Sequence, residues 1–282
     1  ELDKYFAKSY INLSNCFISQ NKYEDAIDIL RKSIKLNLNL TKAHHSITKI
    51  LFSKLSRESD QSTLDEIREH LNFLRKVNDK SIIADCALYY FNIGDIEIAL
   101  ELFKASEKMY SDSVPNIETL KKMNNKNIIK TFIAHEFEQI RHIDSDTDGI
   151  RNMKITQKFY DHLEALYSKA SDQYDEDDYV FISDLHKIKY NKPPKVSGSY
   201  LNKALMFNEI EKEYTSSDPE IVVVDDFLSQ DFLKELRVFF RCSNIFKYPY
   251  LRGYIGAFLG KGMANRALLE FSTELKNTFQ KI

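Results

Sequence analysis

"YINLSNCFISQNKYEDAIDILRKSIKL", residues 10–36, decides the fold. Tyr10, Leu13 and Phe17, then Tyr23, Ala26, Ile27 and Leu30, recur at the spacing that lines one face of an α-helix. The polar Gln20-Asn21-Lys22 breaks the pattern. The stretch therefore predicts two helices over residues 4–36 joined by a short turn. Ser14, Ala26 and Ser33 are small, so the two helices can cross closely.

A second stretch repeats the pattern. Ile83, Cys86, Ala87 and Tyr90 precede Gly94-Asp95, and Ala99, Phe103 and Ser106 follow. Between the two lies an imperfect pair, with helices expected over Ala43–Leu55 and Thr63–Val77. Ser62 or Thr63 is the expected cap of the latter helix, with Glu66 completing a capping box. The residues that define the two copies, Tyr10, Leu13, Ala26 and Leu30 in one and Tyr90, Gly94, Ala99 and Phe103 in the other, resemble the tetratricopeptide repeat (TPR). The proline that usually ends the second helix of that repeat is missing; Leu38 stands near its place. About three hairpins to residue 122 would suffice for a stable stack.

Composition agrees with a helical protein. Seven Gly and five Pro in 282 residues are too few for an all-β chain with many tight turns. A formal net charge of −2 offers no broad basic field for nucleic acid or an anionic membrane. No apolar run is long enough to span a bilayer. Cys16, Cys86 and Cys242 are far apart and form no CxxC pair, which suits thiols in a reducing, cytoplasmic setting. The chain opens on Glu1-Leu2-Asp3 with neither Met nor a signal-like segment, as an ordered piece of a longer protein would.

Further helices are expected over residues 126–143 and 149–170, carried by Ile129, Phe132, Ile133, Phe137 and Ile140, and by Ile155, Phe159, Leu163 and Leu166. From residue 171 the chain turns acidic, then basic, then rich in Pro and Ser. The acidic run from Asp172 to Asp178 reads as a solvated loop, and Pro193-Pro194 ends regular structure. After a helix near Leu205–Tyr214 comes "EIVVVDDFL" (220–228), whose β-branched run predicts a buried strand. A helix over 229–243 with Ser229 as N-cap follows. "GYIGAFL" (253–259) is a second expected strand, and residues 265–281 a last helix. The fold class is thus mainly α: a TPR-like array over 1–122, a helical extension and linker over 123–215, and a short α+β segment over 216–282.

That last segment, with its V-D-D-F-L-S opening and its G-Y-I-G-A-F-L element, resembles the start of a bacterial 2-oxoglutarate/Fe(II) oxygenase-like domain. The resemblance implies the opening of a double-stranded β-helix. In such enzymes a His-x-Asp pair and a distant His hold Fe(II) beside 2-oxoglutarate. All of these would follow the "GYIGAFL" strand, and no His stands after Leu259, so the resemblance assigns no catalytic or cofactor residue to this chain. Fe(II) and 2-oxoglutarate would belong to a longer form.

Other motifs are weighed against plainer readings. His142-Ile143-Asp144 ends an amphipathic helix rather than lying at the mouth of a barrel, so a solvated helix end is the simpler reading. Asp144-x-Asp146-x-Asp148-Gly149 has the alternate carboxylates and glycine of a calcium loop, but Ile155 stands where the bidentate Glu belongs. An acidic turn with Asp148 as a helix cap explains the same residues. His135 and Gln139 suit hydrogen bonding across a helix packing. The adjacent His44 and His45 diverge by about 100° on a helix and are poor co-ligands.

Two functions compete. One is a binding module whose groove, with Asn12, Asn15 and His45 as lining candidates, holds a protein or peptide partner. The other is a fragment of an Fe(II)/2-oxoglutarate dioxygenase whose metal site lies beyond Ile282. Unpaired strand edges in residues 220–259 would also drive self-association.

Overall fold

A computed structural model describes residues 2–36, 40–55, 60–111, 116–124, 128–143, 155–187, 191–249 and 255–279. The protein is mainly helical, as composition and periodicity predict. Its contacts divide it into two compact units, Glu1–Ser106 and Glu107–Ile282.

The first unit is built from helical hairpins: α1 (Leu2–Ser19) with α2 (Tyr23–Lys35), α3 (Leu40–Leu55) with α4 (Gln61–Leu74), and α5 (Lys80–Asn92) with the start of α6 (Ile96–Ser111). Small residues permit close crossings. Ser14, Ala26, Ser33, Ala43, Ala87, Ala99 and Ser106 are all fully buried. Between them pack Ile27, Leu30, Ile47, Ile67, Leu71, Leu74 and Phe103, each buried. Ser106 Oγ donates to the Lys80 carbonyl at 3.1 Å, tying α6 to the start of α5.

The first and third hairpins share one turn. Asn21 and Gly94 both have left-handed backbone, at φ 58° and 91°. In each, that residue and the next donate to carbonyls at the end of the preceding helix: Asn21 to Ile18 and Lys22 to Phe17, Gly94 to Phe91 and Asp95 to Tyr90, at 2.9–3.0 Å. The second hairpin differs. The N-cap of α4 is Asp60, not Ser62 or Thr63; its carboxylate accepts from the backbone N–H of both, at 3.2 and 3.1 Å. Glu66 forms no capping box and instead pairs with Arg31 of α2 at 2.7 Å.

The second unit has two cores. Leu120 of α7 (Ile117–Asn124), Ile129, Phe132, Ile133, Phe137 and Ile140 of α8 (Ile128–Ile143), Leu163 and Leu166 of α9 (Gln157–Ser168), and Tyr179, Ile182 and Leu185 of α10 (Glu176–Lys187) form the larger. The existence of α10 corrects the solvated-loop reading of the acidic run. Asp175 Oδ1 accepts the Asp178 N–H at 3.0 Å, and Asp178 Oδ2 accepts the Asp175 N–H at 2.9 Å. This reciprocal cap starts a helix whose positive N-terminal dipole favours acidic residues. Asp144, Asp146 and Asp148 lie outside the described residues, and α9 takes its cap from Thr156, whose Oγ1 accepts from Phe159 at 3.2 Å.

The smaller core joins Tyr200, Phe232 of α12 (Gln230–Cys242) and Ala267 of α13 (Arg266–Thr278), with Leu228, Leu236 and Phe271 against them. Ser229 and Asn265 cap α12 and α13. Between Tyr200 and α12 in the chain, α11 (Phe207–Ser216) overlaps the helix expected near Leu205–Tyr214. Residues 220–228 are not a buried strand. Their only ladder contact among the described residues is the bridge Leu201–Leu228, and Ile221 and Val223 are 66% and 86% exposed. Val222 and Val224 instead line an apolar groove of about 600 Å³ with Ile210, Phe227, Leu275 and Phe279. The run thus keeps its period-two alternation without a neighbouring strand among the described residues to pair its backbone. Of the expected strand 253–259, residues 253 and 254 lie outside the described residues; Ile255–Gly256 form β2, antiparallel to β1 (Tyr248–Pro249), and Leu259–Lys261 is a 3₁₀ turn.

Candidate protein-binding site

The two adjacent histidines of α3 point to different neighbours, as consecutive helical positions must. His44 turns inward. Its Nδ1 lies 2.7 Å from His70 Nδ1 of α4, and its ring stacks on Phe73 at 4.1 Å. Burial, then the His70 charge, holds His44 down at about 4, so at neutral pH one ring donates and the other accepts. His45 turns toward α5, where its Nε2 meets Asp85 Oδ2 at 3.0 Å.

Two turns along, Phe52 of α3 stacks on Tyr89 of α5 at 4.5 Å. Burial, with Asp85 and Cys86 adding to it, pushes the Tyr89 hydroxyl up to about 12. Leu88 beside it is 38% exposed. His45 and Asp85 are partly open, at 30% and 42%. The first helices of the second and third hairpins therefore present one joined surface: a hydrogen-bonded polar couple, an aromatic couple and an apolar side chain. Asn12 and Asn15 are exposed on α1, as is Leu13 at 43%. Tyr10 is half-buried, and Ala26, Leu30, Tyr90, Ala99 and Phe103 are core. Asp85, Phe52 and Tyr89 were not singled out from sequence. Their signal was spacing: His45 and Phe52, like Asp85 and Tyr89, stand four or seven apart on first helices.

The second unit holds a buried polar centre. Glu136 of α8 is fully buried and accepts a hydrogen bond from Lys247 Nζ, which also donates to the Leu185 carbonyl at 3.2 Å. The other oxygen of Glu136 has no hydrogen-bond partner among the described residues. Burial pushes this carboxyl up, against the pull of the Lys247 charge. His186 stacks on Phe132 at 4.1 Å, and Lys247 Nζ lies 5.6 Å from the same ring. Burial and Lys247 hold His135 down at about 4; burial does the same to His186, against its contact with the Ile182 carbonyl. Gln139, one turn on, donates to the carbonyls of Arg241 and Ser243 at 2.7 and 3.1 Å, capping the end of α12. His135 makes an edge contact with Phe246 rather than bonding alongside Gln139. These groups fasten α8 to α12 and β1. Among the described residues no group of three or more His, Cys, Asp or Glu side chains is placed to hold a metal ion.

Residues 7–40 match the family model of the tetratricopeptide repeat. The match spans α1 and α2, the hairpin whose turn is repeated between α5 and α6. No curated protein and no solved structure matches the chain. Repeats of this kind mediate protein–protein interactions. No helix among the described residues is long and apolar enough to cross a membrane.

Proposed function

We propose that this chain is a non-catalytic protein–protein interaction module that holds a partner segment against the first helices of its hairpins. The carrying observation is the exposed α3–α5 face of His45, Phe52, Asp85, Leu88 and Tyr89, next to a hairpin that matches the tetratricopeptide repeat. Stacked hairpins bind by such surfaces, where aromatic and polar side chains grip an extended or helical segment. The test is a photo-crosslinker at Leu88 in cells, with the captured protein then titrated as a purified partner. Tyr89→Ala and Asp85→Lys should each weaken that binding about tenfold or more while circular dichroism stays unchanged. Unaltered affinity in both variants would remove this face as the site.

Two further parts of the reading rest on separate observations. Self-association through residues 220–259 is supported by the exposed Ile221 and Val223 on an extended run. Light scattering at high concentration should show an oligomer that Val223→Lys dissolves; a strictly monomeric wild type would sink it. A reducing, cytoplasmic location is supported by three cysteines outside any disulfide: Cys16 exposed, Cys242 half-buried, and Cys86 buried with its thiol pushed up to about 12 by burial and Asp85.

The alternative, a piece of an Fe(II)/2-oxoglutarate dioxygenase, rests on the sequence resemblance within 220–259. Its test is whether the native reading frame supplies a His-x-Asp pair and a later His.

A further inference from the structure

We infer that a cleft between the end of α8 and the exposed face of α12 docks a short acidic peptide carrying an apolar side chain between its carboxylates. The cleft encloses about 320 Å³ and is lined by His142, Leu233, Lys234, Arg237, Val238 and Arg241. It lies wholly in the second unit and does not depend on the hairpin surface described above.

The argument begins with α12. Phe232 and Phe239 face the core and are fully buried, which turns Lys234, Arg237 and Arg241 to the opposite side. Three, four and seven residues apart, these cations share one stripe about 10 Å long. All three are exposed, and none of their charged side-chain groups has an ion-pair or hydrogen-bond partner among the described residues. Glu235, on the same helix, is occupied elsewhere: its Oε2 accepts the Lys195 N–H at 3.1 Å. The chain as a whole carries a charge of −2, so this unneutralised stripe stands against the general balance. Charge complementarity calls for an anionic partner.

The floor selects among anions. Leu233 and Val238 are half-buried and apolar, which favours a partner that also brings an apolar side chain. A lone phosphate needs converging donors; here the cations are spread along two helical turns. Nucleic acid needs a longer basic track and exposed aromatic rings for stacking, and no Phe, Tyr or Trp is among the described residues that line this cleft. A peptide with carboxylates on either side of one Leu fits both the stripe and the floor.

The experiment is fluorescence anisotropy on the full 282-residue chain. The probe is a labelled peptide in which Glu pairs flank single Leu residues; controls carry Lys for Glu, or Ser for Leu. The Glu–Leu peptide should bind, more weakly as salt rises from about 0.05 to about 0.5 M. Joint Lys234→Glu, Arg237→Glu and Arg241→Glu changes should lower affinity at least about tenfold, with circular dichroism unchanged. Arg237→Lys with Arg241→Lys should keep most of the binding, and Tyr89→Ala all of it. Equal binding by the charge-reversed chain, or equal binding of the Lys or Ser peptide, would overturn the inference. So would anionic vesicles binding in place of the peptide with the same dependence on the three cations, or a wild-type oligomer that charge reversal dissociates. The last two outcomes would make the occupant a membrane or a second copy.

Discussion

Lys247→Met would leave the Glu136 carboxylate buried with no counter-charge, a change that costs about 3–5 kcal/mol in comparable sites. Removing both charges together, Glu136→Leu with Lys247→Met, should recover most of that loss, because the desolvation cost of the pair vanishes with it. Urea unfolding of the two single variants and the double measures the difference; an additive double would mean the pair contributes more than neutralisation. The histidines make a separate prediction. His44, His135 and His186 are each held at about 4, below the ordinary 6.5. The unfolded chain therefore binds protons that the folded chain refuses. Stability from these groups is whole above about pH 6.5 and falls as pH drops toward about 4. Melting temperature followed by circular dichroism should decline across that window, and His186→Phe should flatten part of the slope. A melting temperature constant over the window would refute it. Glu136 was legible in principle, since it falls on the stripe of Phe132, Ile133 and Ile140. Lys247 was not, because its partner lies far away in sequence.

Among the elements, the helices were legible and the strands were not, for one reason. A helix satisfies its own backbone, so a 3.6-residue apolar period is nearly enough to specify it. A strand needs a neighbour. Residues 220–228 have the alternation and the β-branched side chains, yet among the described residues only Leu228 meets a ladder partner, at Leu201. The acidic run failed in the other direction: its charges read as solvation, whereas Asp175 and Asp178 cap α10 and Tyr179, Ile182 and Leu185 pack beneath. The shared hairpin turn offers a clean test. Gly94 has open space around its α-carbon, so Gly94→Ala meets no clash and pays only for left-handed backbone, about 1–2 kcal/mol. Gly94→Asn should be milder, since Asn21 already serves in the equivalent turn. Denaturant midpoints of the two variants decide it; equal losses would point to a side-chain cause.

At the scale of the whole molecule, the division into compact units follows from contacts rather than from sequence pattern. The contacts separate at Ser106–Glu107, within a single continuous helix, α6. No composition shift or Pro–Gly punctuation marks that point, so nothing in the residue pattern announces it. The candidate surface was only partly readable: His45 was visible as a lining residue, whereas its couplings to Asp85 and of Phe52 to Tyr89 depend on how α3 lies against α5. Amide exchange should map the result. Protection should be greatest in the middles of α3, α5 and α8, whose helical hydrogen bonds lie beside fully buried side chains, and least at Val222–Val224, whose backbone has no ladder partner among the described residues. Slow exchange at Val222–Val224 would mean that another strand, from a second copy, covers them in solution.

The contrast among the three cysteines has a practical consequence for chemistry on this protein. A thiol pushed up to about 12 presents almost no thiolate at neutral pH, so Cys86 should resist maleimides as long as the third hairpin stays closed. Cys16 stands exposed on α1, and Cys242 is one of the residues around the basic cleft. With Cys242→Ser, a dye would attach to Cys16 alone, on a first helix of the matched repeat. With Cys16→Ser, the same dye would settle beside Arg241 and report on whatever enters there. Late reaction at Cys86 would then serve as an internal clock for the opening of its hairpin.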